Sequence, residues 1–211
     1  MSDLFDCSFR KILAVSASDA PTPGGGSVSA LAGALGVAMA AMVGSLTMGK
    51  PKYAGVEAEV RDITGRAYLL MAGLEKLTAA DIDAFGRFMD AYRMPKSSDE
   101  EKARREEAVQ KAVKAAAGVP LDIAKTLLEA LVITEKISRI GNKMAVSDAG
   151  VAAYICEAAL QAVLLNVDIN LPLINDLEFA AKMRDERTQI AEKAERLKEM
   201  AVAAVRERML G

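Results

Sequence analysis

The sequence predicts an all-α, single-domain helical bundle over residues 1–211, built around central Ala/Gly-rich buried helices. Three observations carry this expectation. Hydrophobic residues make up 52% of the chain but aromatics only 4%, so its apolar content is mainly Ala, Leu, Val, Ile and Met, which favours helix over strand. Long segments repeat apolar residues at helical spacing, and none reads as a strand. Between them stand Gly, Pro, Asn and capping residues, with no internal repeat and no long linker.

Residues 3–17 read as a short amphipathic helix, with Leu4, Phe5, Phe9, Ile12 and Leu13 on its apolar side. Ser16 to Gly26 breaks it with small residues, Pro and Gly. Val28 to Met48 then contains no charged residue. A membrane span meets that description. Its heavy use of Ala, Gly and Ser argues instead for a core helix whose thin faces let neighbouring backbones pack close. Gly49, Lys50, Pro51 and Lys52 end it.

From Gly55 to Ala91 the apolar stripe runs Val60, Ile63, Ala67, Leu70, Leu74, Leu77. At the same rhythm it continues through Asp81 to Ala84, Phe85 and Phe88. Asp83 falls with Lys76, Arg87 and Asp90 on the polar face. Asp81 is therefore a carboxylate on the core side. Burial raises a carboxyl pKa toward the range useful in proton transfer, unless the group is paired or caps another helix. Periodicity leaves both readings open.

Ser98 and Glu101 form a capping-box pattern for a charge-laced helix. Gly118 and Pro120 are expected to end that helix and begin another, running Leu121 to Ile140. Gly141 and Asn142 stop it, and Ser147 or Asp148 is expected to cap a second nearly uncharged helix, Ala149 to Asn166. Asn166 and Asn170 stand four apart at its end. Their amides need partners, either neighbouring helices or a polar heterocycle. Phe179 to Leu210 is a long charged helix with one apolar seam, along the bundle or across a dimer interface.

Composition removes several classes of chemistry. There is no histidine, so a Ser-His-Asp triad, a Cys-His dyad and a histidine-bearing zinc site are all absent. A formal charge of −2 provides no basic field for nucleic acid. Cys7 and Cys156 form no CxxC pair, and the first residues carry no basic region followed by an apolar block, so a reducing cytoplasm is the expected location.

PTPGGGS, residues 21–27, is a bare loop-to-helix junction. Its free N–H groups suit an anionic or polar ligand, and the plain alternative is a flexible turn. No lysine-serine pair follows Gly26 and no strand precedes it, so a nucleotide P-loop does not fit.

PTPGGGSV, the Ala/Gly-rich helix, MVGSLTMGKPKY, DIDAFGRFMDAYRMPK, GNKMAVSD and NVDINL occur in a fixed order. Together they resemble the cyclodeaminase/cyclohydrolase family of folate enzymes. That family includes the C-terminal domain of formiminotransferase-cyclodeaminase and stand-alone methenyltetrahydrofolate cyclohydrolases. The resemblance covers nearly the whole chain. It implies a homodimeric all-helical fold acting on tetrahydrofolate one-carbon adducts, with no metal and no separate cofactor. It implies that Asp81 is the acid–base group. It further implies a folate-binding set of Gly24, Gly25, Gly26, Ser27, Lys50, Lys96, Asn142, Ser147, Asp148, Asn166 and Asn170. The expected reaction is hydrolysis of 5,10-methenyltetrahydrofolate. Formiminotetrahydrofolate cyclodeaminase and a non-catalytic folate-binding dimer are the alternatives.

Overall fold

Two nearly uncharged helices form the axis of the bundle. In a computed structural model, which describes residues 4–210, they are α2 (Gly25–Ser45) and α5 (Val146–Asn170), packed against each other. The others are α1 (Phe9–Ser16), α3 (Glu57–Tyr92), α4 (Asp99–Ile140) and α6 (Leu177–Leu210). Short 3-10 turns at Leu4–Asp6, Pro51–Val56, Lys143–Ala145 and Leu171–Leu173 complete the chain, with no strand among the described residues. The all-α expectation is met.

The core sits where α2, α3, α4 and α5 meet. Ile63, Leu74, Leu127, Leu131, Ile137, Leu160 and Leu164 are fully buried there, each contributing about 1.5–3 kcal/mol of apolar transfer. Close packing depends on small residues of α2. A Cβ on Gly33 would lie 2.3 Å from Leu127 Cδ2, so that leucine fills the space the glycine leaves. The apolar segments Gly25–Ser45 and Lys143–Leu173 are both long and hydrophobic enough to cross a membrane, yet 61% and 50% of their most apolar stretches are buried by other helices.

The α6 seam of Met183, Ile190, Ala194, Ala201 and Val205 is buried against α4 and α5, so it packs along the bundle. Arg187 ties α6 to α5 by donating to both carboxylate oxygens of Asp168, at 3.0 and 2.8 Å. Ser98 and Glu101 make the expected capping box.

Three expectations are corrected. First, α1 spans only Phe9–Ser16 and buries none of its residues; Phe9 and Leu13 are exposed, because no other helix covers that face. Second, α5 begins at Val146 with Ala145 at the cap, so neither Ser147 nor Asp148 caps it; Asn142 instead accepts from Met144 N and caps the preceding 3-10 turn. Third, Gly118 and Pro120 do not divide the fourth segment. Helix α4 runs unbroken through Pro120. A proline inside a helix removes one N–H and leaves the carbonyl four residues earlier without its partner. Here that carbonyl, Ala116 O, accepts from Asn170 Nδ2 at 3.1 Å. A side chain from α5 supplies the missing hydrogen bond.

Candidate active site

The site forms where the N-terminus of α2 meets the middle of α3. Gly24 caps α2 with extended backbone and offers no side-chain acceptor, so the first N–H groups of the helix are open to an outside partner. Asp81 of α3 supplies one. Its Oδ2 accepts from Ser27 Oγ at 2.7 Å, and the carboxylate also accepts from the Ser27 main chain. This approach requires a glycine. A Cβ on Gly26 would lie 2.3 Å from Asp81 Oδ1 and 2.7 Å from both Cγ and Oδ2.

Periodicity placed Asp81 on the core side of α3, and it is half-buried there while Asp83 is exposed beside Arg87 at 3.7 Å. The carboxylate caps another helix, and it is also desolvated. Burial raises its pKa above the ordinary 3.8, and the two hydrogen bonds from Ser27 pull it back without cancelling that rise. Ser27→Ala removes one of those bonds. The carboxyl should then hold its proton to still higher pH, and the ascending limb of a pH–rate profile should move to higher pH; a limb moving the other way would refute this assignment.

A cavity of about 350 Å³ opens in front of Asp81, within the usual range for small-molecule sites. Pro21, Thr22, Gly24, Gly25 and Gly26 form one wall, and Ala84, Phe85 and Phe88 of α3 another. Ala116 and Pro120 of α4 and Asn166, Ile169, Asn170 and Leu173 close the rest. Asp81 is the one ionisable side chain among the described residues that line it. The two amides stand on the same wall, with Asn166 over Gly25, 3.3 Å from where a Cβ would be.

The cavity thus gathers Gly24, Gly25, Gly26, Asp81, Asn166 and Asn170, with Ser27 directly behind Asp81. It does not gather the rest of the set. Asn142 is buried at the opposite end of α2, donating to Leu46 O at 3.0 Å and accepting weakly from Tyr53 Oη at 3.4 Å. That end lies about 30 Å along the helix axis from Gly25. Lys50 and Ser147 are exposed there, and Asp148 is half-exposed. Lys96 is exposed beyond the end of α3 and does not line the cavity. The sequence reading missed Pro120, Ala116, Ile169 and Leu173 as wall residues. Pro120 looked like a helix break, and nothing local marks Ala116 or Ile169. Among the described residues no group of three His, Cys, Asp or Glu side chains could hold a metal.

Fold and cavity together define a class: an all-α protein whose cleft sets one desolvated acid among amides and aromatic rings. Comparison with known proteins gives the particular family. The chain belongs to the formiminotransferase-cyclodeaminase family, whose profile matches residues 8–189. It is 38% identical to a methenyltetrahydrofolate cyclohydrolase of Methylorubrum extorquens over 92% of this chain and 93% of that one. It is 32% identical to the formimidoyltransferase-cyclodeaminase of Rattus norvegicus over 90% of this chain but only 35% of that longer protein. The crystal structure of a formiminotetrahydrofolate cyclodeaminase from Thermotoga maritima superposes with a TM-score of 0.87 at 32% identity, covering 96% of this chain and 98% of that one.

Proposed function

We propose that this protein hydrolyses 5,10-methenyltetrahydrofolate to 10-formyltetrahydrofolate, with Asp81 as the acid–base group. One observation carries the reading: a lone ionisable side chain, desolvated and locked by Ser27 and Gly26, faces a cavity of ligand size. The full-length likeness to a methenyltetrahydrofolate cyclohydrolase supports hydrolysis over deamination.

The chemistry follows from charge. The methenyl carbon bridges N5 and N10 in a cationic amidinium. Ionised Asp81 in a poorly solvated site attracts that cation. It accepts a proton from a water molecule as the water oxygen bonds to the bridging carbon, giving a neutral tetrahedral adduct. The C–N5 bond then breaks, N5 gains a proton, and the carbon remains on N10 as a formyl group. One proton leaves overall, and the substrate itself supplies the electrophile, so the reaction needs neither metal nor cofactor. Gly25 and Gly26 offer the ring a bare backbone wall, and the asparagines offer it hydrogen bonds.

The likeness to the Thermotoga cyclodeaminase supports a second reading. N10 would attack a formimino carbon, and protonated Asp81 would donate to the departing ammonia. A paired assay on one preparation separates the two. Decay of the methenyl chromophore without ammonia release from formiminotetrahydrofolate is expected; ammonia release with no methenyl hydrolysis would reverse the assignment. Turnover of neither, with tetrahydrofolate still bound, would leave a folate-binding protein.

The reading includes a cytoplasmic homodimer. Val28, Leu35 and Leu46, at helical spacing on one face of α2, and Leu165 and Ile169 on α5 are exposed apolar side chains. A twofold pairing through the α2 face would cover them with the same residues of a second copy. Leu35→Glu should shift the sedimenting species from dimer to monomer in detergent-free buffer. A dimer unchanged by that substitution would place the interface elsewhere.

A further inference from the structure

Asn170 is tied to the backbone in a way that determines what it can recognise. Its Nδ2 donates to Ala116 O at 3.1 Å and to Asn166 O at 2.7 Å. An amide nitrogen has two hydrogens, so both are engaged. Two carbonyl oxygens can be met only by a donor, which fixes the orientation of the amide. Oδ1 remains. Among the described residues nothing donates to it, and no buried side-chain oxygen lacks a partner, so Oδ1 lies open where Asn170 lines the cavity.

Pro120 makes the bond to Ala116 O possible. An ordinary residue there would donate its N–H to Ala116 O and leave the Asn170 amide held by Asn166 O alone. With proline in that place, Ala116 O is available and Asn170 is the group that satisfies it. Pro120 and Ala116 themselves line the cavity beside Asn170.

We infer that Pro120 locks Asn170 as an acceptor-only contact for an N–H edge of the bound heterocycle, making Asn170 a specificity-determining residue and Pro120 a positioning residue. The inference rests on the folate reading, in which the ligand is a pterin. A reduced pterin carries ring N–H and amino donors that suit a fixed carbonyl oxygen. A ring edge offering only acceptors would meet Oδ1 with repulsion. Asn166 differs, because its Nδ2 reaches only Ala162 O at a long 3.4 Å and can still turn.

The structural and recognition roles of Asn170 can be separated. Asn170→Ala leaves Ala116 O unpaired and removes the acceptor, so both Tm and affinity for tetrahydrofolate should fall. Adding Pro120→Ala restores a backbone partner to Ala116 O. The double variant should recover Tm but still bind tetrahydrofolate about tenfold more weakly than wild type, the worth of one good hydrogen bond. Pro120→Ala alone should keep Tm and raise the Kd by about threefold, since the amide is then held by one carbonyl instead of two. Calorimetric titration with tetrahydrofolate gives the Kd, and methenyl decay on the same samples gives KM and kcat. Wild-type affinity in the double variant would overturn the inference while leaving the hydrolytic reading intact. Binding lost as expected, with no wild-type turnover of methenyltetrahydrofolate, would sink the hydrolytic reading and keep the inference. A wild-type protein that does not bind tetrahydrofolate overturns both.

Discussion

Replacing Asp81 with asparagine should abolish turnover and stabilise the fold at neutral pH. Removal of a positioned acid–base group costs about 10²–10⁴-fold in rate. The stability effect follows from linkage. Burial raises the Asp81 pKa in the folded protein above the ordinary 3.8 of an unfolded chain. The folded state therefore binds that proton more tightly, and stability falls as pH rises from the unfolded value through the raised folded one. Above the folded pKa the ionised carboxylate carries its whole desolvation penalty. Asparagine is nearly isosteric, accepts from Ser27 Oγ in the same place, and carries no charge. Asp81→Asn should melt above wild type at pH 7, and the gap should close as pH is lowered toward 3.8. Methenyl decay and melting curves across that range test both halves. Wild-type turnover in the variant would remove Asp81 from the mechanism. A lower Tm at pH 7 would mean that its helix-capping role outweighs its desolvation.

The three glycines should respond unequally to alanine. At Gly26 a methyl collides with all three atoms of the Asp81 carboxylate group, at 2.3 to 2.7 Å. The acid is short and tied to Ser27, so it must swing away as a unit. A displacement of about 1 Å at a reacting group can cost about 10²-fold, so Gly26→Ala should approach Asp81→Asn in kcat. Its Tm should change little, because alanine favours the helix by about 0.5–1 kcal/mol and offsets part of the lost cap. At Gly25 the methyl meets only the Asn166 side chain, nearest at Nδ2 at 3.3 Å, which can shift by a few tenths of an ångström. Its effect should appear in KM, since Gly25 lines the cavity. At Gly24 nothing lies within 4 Å, so a methyl there meets no protein atom and should affect kcat least. Steady-state kinetics on the three variants decide the order. Equal losses in kcat at all three positions would return the loop to the plain-turn reading.

Much of the site was legible along the chain, for identifiable reasons. The stripe from Val60 to Phe88 is set by helical periodicity, and one acidic residue interrupts it; Asp81 was therefore marked before any contact was known. The same rule placed Asp83 in solvent, beside Arg87. The ordered motifs pointed to folate chemistry as a set. What the motifs did not contain is distance. They grouped Asn142 and Lys50 with Asp81, although a 21-residue helix holds them at opposite ends of the bundle.

The sequence by itself determined the all-α class, the central buried helices, the one core-side acid and the glycine junction, because each depends on local periodicity, propensity or punctuation. Tertiary structure alone decided which glycine matters, why Pro120 does not break α4, and what Asn170 can accept. Each of those is a contact between residues far apart in the chain: Gly26 with Asp81, and Ala116 with Asn170. Helical periodicity tells which face turns inward. It does not tell which atom of another helix that face will meet.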